Sequence, residues 1–175
     1  MGLNNINAEA AGRFVEEARH APEVAVKTKR VEGQWVFEEG SPQFRATVPY
    51  QNGQCTLKSD FAPFMGGWGS APDPIQYCLY GLAACYAGTF VSVATMEGVT
   101  LRSLRVTAEN KVNLMRTLGL SQEPIVERVD MTVSVEADAP AERLKEIEKM
   151  ARERCPGVYC LENPIPLVTH LEIRT

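Results

Sequence analysis

The sequence predicts an α+β fold in which helices and strands form separate groups along the chain. Three observations support this prediction: a residue pattern typical of strands from 23 to 58, an uncharged helical stretch from 74 to 96, and two further strand-like segments after it. Apolar residues at every second position are typical of half-buried strands, whereas a long capped apolar run is typical of a buried helix. Because these elements are segregated along the chain rather than alternating, the fold class is expected to be α+β.

The composition is that of an ordinary globular protein. The 175 residues are 45% hydrophobic and 23% charged, which fits a single domain over 1–175 with a helical extension at 1–22. The net charge of -4 and the pI of about 5.3 argue against a nucleic-acid surface, because binding phosphates needs an excess of Lys and Arg.

The N-terminal third is predicted to be one helix followed by strands. Asn7 is a suitable cap for a helix with Ala11, Phe14, Val15 and Ala18 on one face. Strands are predicted at 24–29, 34–38 and 43–48. The dipeptide Asn52-Gly53 then favours a tight hairpin turn.

The long helix has clear start and stop signals. Asp73 caps it, Pro74 takes the first position and Gln76 completes a capping box, while Gly98 ends it. The helix is apolar on every face and is therefore expected to be surrounded by protein. Its small and polar residues argue against a membrane-spanning helix, and no export signal is recognised at the N-terminus, so a cytoplasmic location is expected.

The remaining third predicts two strands, a helix and a last strand. The strands are expected at 102–114 and 126–136, the second with Val129, Met131, Val133 and Val135 facing inward. An amphipathic helix then carries Leu144, Ile147, Met150 and Ala151 on one face and ends at Pro156. The segment 166–173 is predicted to be the last strand.

Free thiols are the remaining candidates for chemistry. The five cysteines, at positions 55, 78, 85, 155 and 160, form no Cys-x-x-Cys pair, and the two histidines are far apart in sequence. This pattern predicts neither a disulfide framework nor a zinc site, and no cofactor is expected. Cys55 and Cys78 are interpreted as unreactive, Cys78 through core packing.

Four segments carry a resemblance to a known family. They are 65–74 (MGGWGSAPDP), 82–89 (LAACYAGT), Gly98, and Cys155-Pro156 at the end of a helix. In this order and spacing they resemble the glycine-rich loop, nucleophile helix, helix stop and second-cysteine segment of the OsmC/Ohr superfamily.

The resemblance implies an OsmC-like fold, with two antiparallel sheet regions around a long central helix, and an intertwined homodimer. It also implies a thiol peroxidase that reduces organic hydroperoxides. Cys85 would attack the peroxide, Cys155 would resolve the sulfenic acid as a disulfide, and a dithiol reductant would restore both. Arg45 corresponds to the activating arginine of the family, with Arg30 as the competitor.

One departure from the family leaves a second function open. Ile75 occupies the position where the Ohr branch has a glutamate that anchors the arginine, and Asp73 is interpreted mainly as a helix cap. The alternative is a non-catalytic module of the same fold that binds an apolar or sulfur-containing small molecule. Cys160 is an alternative resolving thiol. The aromatic set Trp68, Tyr77, Tyr80 and Tyr86 is interpreted as packing or as an apolar wall for a substrate.

Overall fold

The computed structural model describes residues 3–173 and contains two antiparallel sheets and one long helix, as predicted. The chain divides into two compact units, and the division falls within the long helix between Gly81 and Leu82. Asn7–Gly81 form the N-terminal unit. Residues 82–173, together with residues 3–6, form the C-terminal unit. The predicted single domain over 1–175 stays a prediction.

The N-terminal unit contains helix α1 (Ala8–His20) and the strands β1 (Gly33–Trp35), β2 (Phe44–Tyr50) and β3 (Gly53–Ser59). The Ala10 N–H donates to Asn7 Oδ1 at 3.0 Å, which confirms the predicted cap. Strands β2 and β3 form the predicted hairpin. Tyr50 pairs with Gly53, so the two loop residues are Gln51 and Asn52.

The strand predicted at 24–29 is wrong. A 3-10 turn covers Pro22–Ala25, and no strand is assigned between it and β1. Val26 is 81% exposed, and the three-stranded sheet has the order β1-β2-β3 with no place taken by this segment. Alternation alone does not produce a strand where no neighbouring strand offers its backbone groups.

A loop held by one buried carboxylate leads from β3 to the long helix. Asp60 Oδ2 accepts hydrogen bonds from the backbone N–H groups of Trp68 and Ser70, at 3.2 and 2.9 Å, and from Ser70 Oγ at 2.7 Å. Burial by itself would raise the pKa of Asp60, but the hydrogen bonds from Ser70 and Trp68 lower it below its ordinary value. The loop is therefore fixed before the helix begins.

Helix α2 (Pro74–Met96) begins and ends where the sequence predicts. The Ile75 N–H donates to Asp73 Oδ1, and the Asp73 N–H donates to Gln76 Oε1, both at 2.8 Å. At the other end Gly98 has φ of 69°. The bonds from Gly98 N to Thr95 O and from Val99 N to Ala94 O complete a Schellman motif.

The C-terminal unit contains β4 (Leu101–Asn110), β5 (Val129–Ala137), α3 (Ala141–Arg154) and α4 (Pro156–Glu162). Burial alternates along β5 in the predicted phase. Ile147 and Ala151 of α3 are fully buried in the core with Phe90, Val93 and Ala94 of α2. The predicted amphipathic face of α3 is thus confirmed.

The C-terminal unit differs from the prediction at α4 and in its last segment, and β4 ends at Asn110 rather than at Leu114. Helix α4 was not predicted, and Pro156 both follows the end of α3 and occupies the first turn of α4. The strand predicted at 166–173 is wrong, because 163–173 has no regular secondary structure. Leu167 and Leu171 are 89% and 87% exposed, and among the described residues the second sheet consists of β4 and β5 alone.

Candidate functional site: a pair of facing thiols

The C-terminal unit brings Cys85 and Cys155 together. Cys85 lies on α2, and Cys155 is the single residue between α3 and α4. The two Sγ atoms are 3.7 Å apart although the residues are 70 positions apart in sequence. Both are free thiols. A disulfide bond is about 2.05 Å long, so the two sulfurs need to approach by less than about 2 Å to form one.

The first turn of α4 packs directly against this pair. A Cβ atom placed on Gly157 would lie 3.7 Å from Cys85 Sγ and 3.2 Å from Leu82 Cδ1. The chain therefore approaches the Cys85 side chain closely at a residue that has no side chain. The Cys-Pro-Gly tripeptide at 155–157 is the sequence signal for this turn, and its glycine was not predicted as part of the site.

The two thiols differ in their exposure. Cys155 is 1% exposed, whereas Cys85 is half-buried. Burial raises the pKa of Cys85 above its ordinary value, and interaction with Cys155 raises it further, while a backbone hydrogen bond from Gly157 acts in the opposite direction. Within this unit the environment therefore favours the protonated thiol of Cys85.

A polar network adjoins the thiol pair. Tyr86 Oη donates to Glu148 Oε1 at 3.1 Å, and Arg152 of α3 forms an ion pair with Glu162 of α4. A cleft of about 470 Å³ has Leu82, Tyr86, Glu148 and Arg152 among its lining residues. The sequence singled out Tyr86 but not its partner, because nothing local indicates which acceptor a buried tyrosine meets 62 positions away.

The predicted arginine lies in the other unit. Arg45 is exposed on β2, where it pairs in register with Lys58 and Gln34. Its role as the activating cation of Cys85 stays a prediction. The competitor Arg30 forms an exposed ion pair with Glu32 at 2.6 Å. Asp73 caps α2, as interpreted from the sequence, through its contact with the Ile75 N–H.

The other three cysteines are exposed thiols. Cys55 is on β3 and Cys160 on α4. The interpretation of Cys78 as a core residue is wrong for the described chain, because its side chain lies on an exposed apolar part of α2. Within residues 3–173 no group of three or more His, Cys, Asp or Glu side chains is arranged to hold a metal ion.

By length and composition alone, helix α2 could cross a membrane, and 22% of its most apolar 18 residues are buried. A core helix of a water-soluble protein can have the same length and composition, so these two properties do not assign a membrane location.

Comparison with known proteins identifies the family. The family model for OsmC-like proteins matches residues 67–170, which is more than half of the chain and includes both Cys85 and Cys155. This chain belongs to the OsmC-like family. No curated protein sequence matches it significantly.

Solved OsmC-like structures share the fold at low sequence identity. An OsmC-like protein from Mycoplasma pneumoniae is 19% identical with a TM-score of 0.55, over 78% of this chain and 89% of that one. A Legionella pneumophila organic hydroperoxide resistance protein OsmC is 18% identical, with a TM-score of 0.53 over 78% and 91% of the two chains. A Vibrio cholerae protein, described as a putative organic hydroperoxide resistance protein with captopril bound in one active site, is 18% identical. Its TM-score is 0.54 over 78% and 86%.

Proposed function

We propose that this OsmC-like protein is a thiol-dependent peroxidase that reduces organic hydroperoxides through Cys85 and Cys155. The observation that carries the proposal is the 3.7 Å distance between the two sulfurs. Two free thiols in near contact, one half-buried and one buried, are the arrangement that a two-cysteine peroxidase needs for attack followed by resolution.

The proposed cycle has three steps. The Cys85 thiolate attacks the outer peroxide oxygen, so the O–O bond breaks and an S–O bond forms. The alkoxide takes up a proton from solvent and leaves as the alcohol. The Cys155 thiol then displaces the hydroxyl of the Cys85 sulfenic acid, which forms the S–S bond and releases water. A dithiol reductant exchanges with this disulfide and returns both cysteines to thiols.

The similar structures support a peroxide substrate. The Legionella protein is described as an organic hydroperoxide resistance protein and a predicted redox protein, and the Vibrio protein carries the first of these descriptions as putative.

Attack by Cys85 requires a thiolate, and the surroundings of Cys85 in its own unit favour the protonated form. We assign the missing positive charge to Arg45. A guanidinium stays charged at any physiological pH and donates several hydrogen bonds. Ile75 leaves this arginine without the carboxylate anchor of the Ohr branch. We propose that the guanidinium lowers the pKa of Cys85 without that anchor.

We propose a homodimer as the working form, located in the cytoplasm and built from one domain per chain. Helix α2 buries only Tyr86, Phe90, Val93 and Ala94 of its 23 residues, although it carries no charged side chain. A second copy of the chain is the partner that the resemblance implies for the exposed apolar faces.

Counting free thiols tests the proposed function. One equivalent of cumene hydroperoxide should remove two thiols from the wild type, and peptide mapping should find them in a Cys85–Cys155 disulfide. Cys85→Ser should lose no thiol, and Cys155→Ser should stop at a Cys85 sulfenic acid that dimedone traps. Cys55→Ser, which removes an exposed thiol, should behave as the wild type does. A Cys85–Cys160 or Cys155–Cys160 bridge would show that Cys160 is the resolving thiol.

A non-catalytic small-molecule-binding module is the second candidate. The raised pKa of Cys85 and the isoleucine at position 75 favour it, because both leave the thiol without an activating group. This function predicts that cumene hydroperoxide consumes no more thiol from the wild type than from Cys85→Ser. It also predicts that an apolar thiol compound binds both proteins with equal affinity.

A further inference from the structure

The residue after Cys85 makes a second contact between the helices that hold the two thiols. Tyr86 is 1% exposed, yet its hydroxyl reaches the carboxylate of Glu148 at 3.1 Å. Glu148 itself lies on the exposed side of α3. The buried ring is thus anchored in the core of the C-terminal unit, and its polar end is satisfied at the surface of α3.

Glu148 and Cys155 are seven residues apart, which is about two helical turns. Helices α2 and α3 are therefore joined at Cys85–Cys155 and at Tyr86–Glu148. A third contact, the ion pair of Arg143 in the first turn of α3 with Glu97 directly after the end of α2, lies farther from the thiols. The order of these contacts along α2 is the reverse of their order along the segment from Arg143 to Cys155, so the two helices are antiparallel. Each contact limits sliding and rotation of α3 against α2.

The Tyr86 hydroxyl is the donor in this contact at neutral pH. Burial, followed by the nearby Glu148 carboxylate, raises the pKa of Tyr86, so the phenol is protonated at neutral pH. A buried hydroxyl without an acceptor is costly, and this cost holds the side chain of Glu148, and with it α3, in one position.

We propose that Tyr86 and Glu148 are positioning residues for disulfide formation and hold Cys155 against Cys85. The inference deepens the proposed function and rests on it for the peroxide-driven step. In that step Cys155 loses its proton and attacks sulfur, the hydroxyl of the Cys85 sulfenic acid leaves as water, and no other group is oxidised or reduced. Neither Tyr86 nor Glu148 takes part in the covalent chemistry.

The test separates the two chemical steps in Tyr86→Phe. Sulfenic acid formation at Cys85, trapped with dimedone, should keep its wild-type rate within about twofold. The following loss of the Cys155 thiol should slow by at least about three- to tenfold, which corresponds to the net contribution of a typical protein hydrogen bond. Circular dichroism establishes that the variant is folded.

Glu148 provides a rescue that separates positioning from proton transfer. Glu148→Gln keeps an oxygen acceptor for Tyr86 and should form the disulfide within about twofold of the wild-type rate, whereas Glu148→Leu should be as slow as Tyr86→Phe. Tyr159→Phe, at an exposed tyrosine of α4, is the matched control and should have no effect. A slow Glu148→Gln would overturn the positioning role, as would equal slowing of both steps in Tyr86→Phe.

A second measurement keeps the inference independent of peroxide. In a buffer of reduced and oxidised glutathione, the Cys85–Cys155 disulfide forms by thiol–disulfide exchange. The effective concentration of Cys155 relative to Cys85, obtained from the equilibrium constant for forming their disulfide, should fall about three- to tenfold in Tyr86→Phe. If peroxide fails in the wild type but this fall is observed, the peroxidase function is wrong and the positioning role stands. If the wild type forms no Cys85–Cys155 disulfide in either oxidant, the positioning role is wrong.

Discussion

Helices α2 and α3 show two different relations between a sequence pattern and the surface that covers it. Helix α3 has one apolar face, which the C-terminal unit buries completely at Ile147 and Ala151, and its other faces carry charges. Helix α2 is apolar all round, and within one chain it leaves Tyr80 70% and Met96 61% exposed. The pattern of α3 is satisfied by its own chain, whereas that of α2 requires a further surface.

The strongest test of this contrast compares truncations on the two helices. Ile147→Ala should reduce the free energy of unfolding by about 2–5 kcal/mol, because it opens a cavity in a fully buried site. Met96→Ala removes a comparable side chain from the exposed end of α2 and should cost less than about 1 kcal/mol in the monomer. Urea unfolding, at protein concentrations low enough to dissociate the dimer, measures both. If Met96→Ala reduces the free energy of unfolding as much as Ile147→Ala does, and the reduction grows with protein concentration, a second copy covers Met96.

A charge on the open face of α2 tests what covers it. Gly88 is exposed, and a Cβ atom there would meet nothing within 4 Å in the single chain. Gly88→Arg should therefore leave the fold intact while converting a dimer into a 19.3 kDa monomer, as measured by light scattering. Gly12→Arg on α1, where an added Cβ also meets nothing, is the control. A wild type that is already monomeric at micromolar concentration would refute the dimer.

The smallest expected effect concerns the charge that α2 lacks near Cys85. A raised pKa lowers the thiolate fraction at pH 7, and a nearby cation lowers the pKa again. If Arg45 supplies that cation, Arg45→Met should shift the pH profile of Cys85 alkylation upward by at least about one unit, or about 1.4 kcal/mol. Arg30→Met should leave the profile unchanged. Identical profiles for the wild type and Arg45→Met would remove Arg45 from the site, and a shift confined to Arg30→Met would transfer the role.

The predictions from sequence succeeded where the determining interactions are local. The Asp73 cap, the Gly98 stop and the alternation along β5 each involve residues within a few positions of one another. The prediction of the last strand was wrong because a strand is completed by a partner edge, and the alternation within 166–173 contains no information about one. Helix α4 was overlooked because Pro156 ends one helix and starts another with only Cys155 between them.

By itself the sequence determined the fold class and the extent of α2. The pairing of Cys85 with Cys155 was an expectation from the family resemblance. Only the tertiary structure decided that the two sulfurs lie 3.7 Å apart, that Gly157 packs against Cys85 and that Tyr86 meets Glu148. The physical reason is the separation along the chain. Contacts across 62 and 70 residues depend on how α3 packs on α2, and no local propensity specifies that packing.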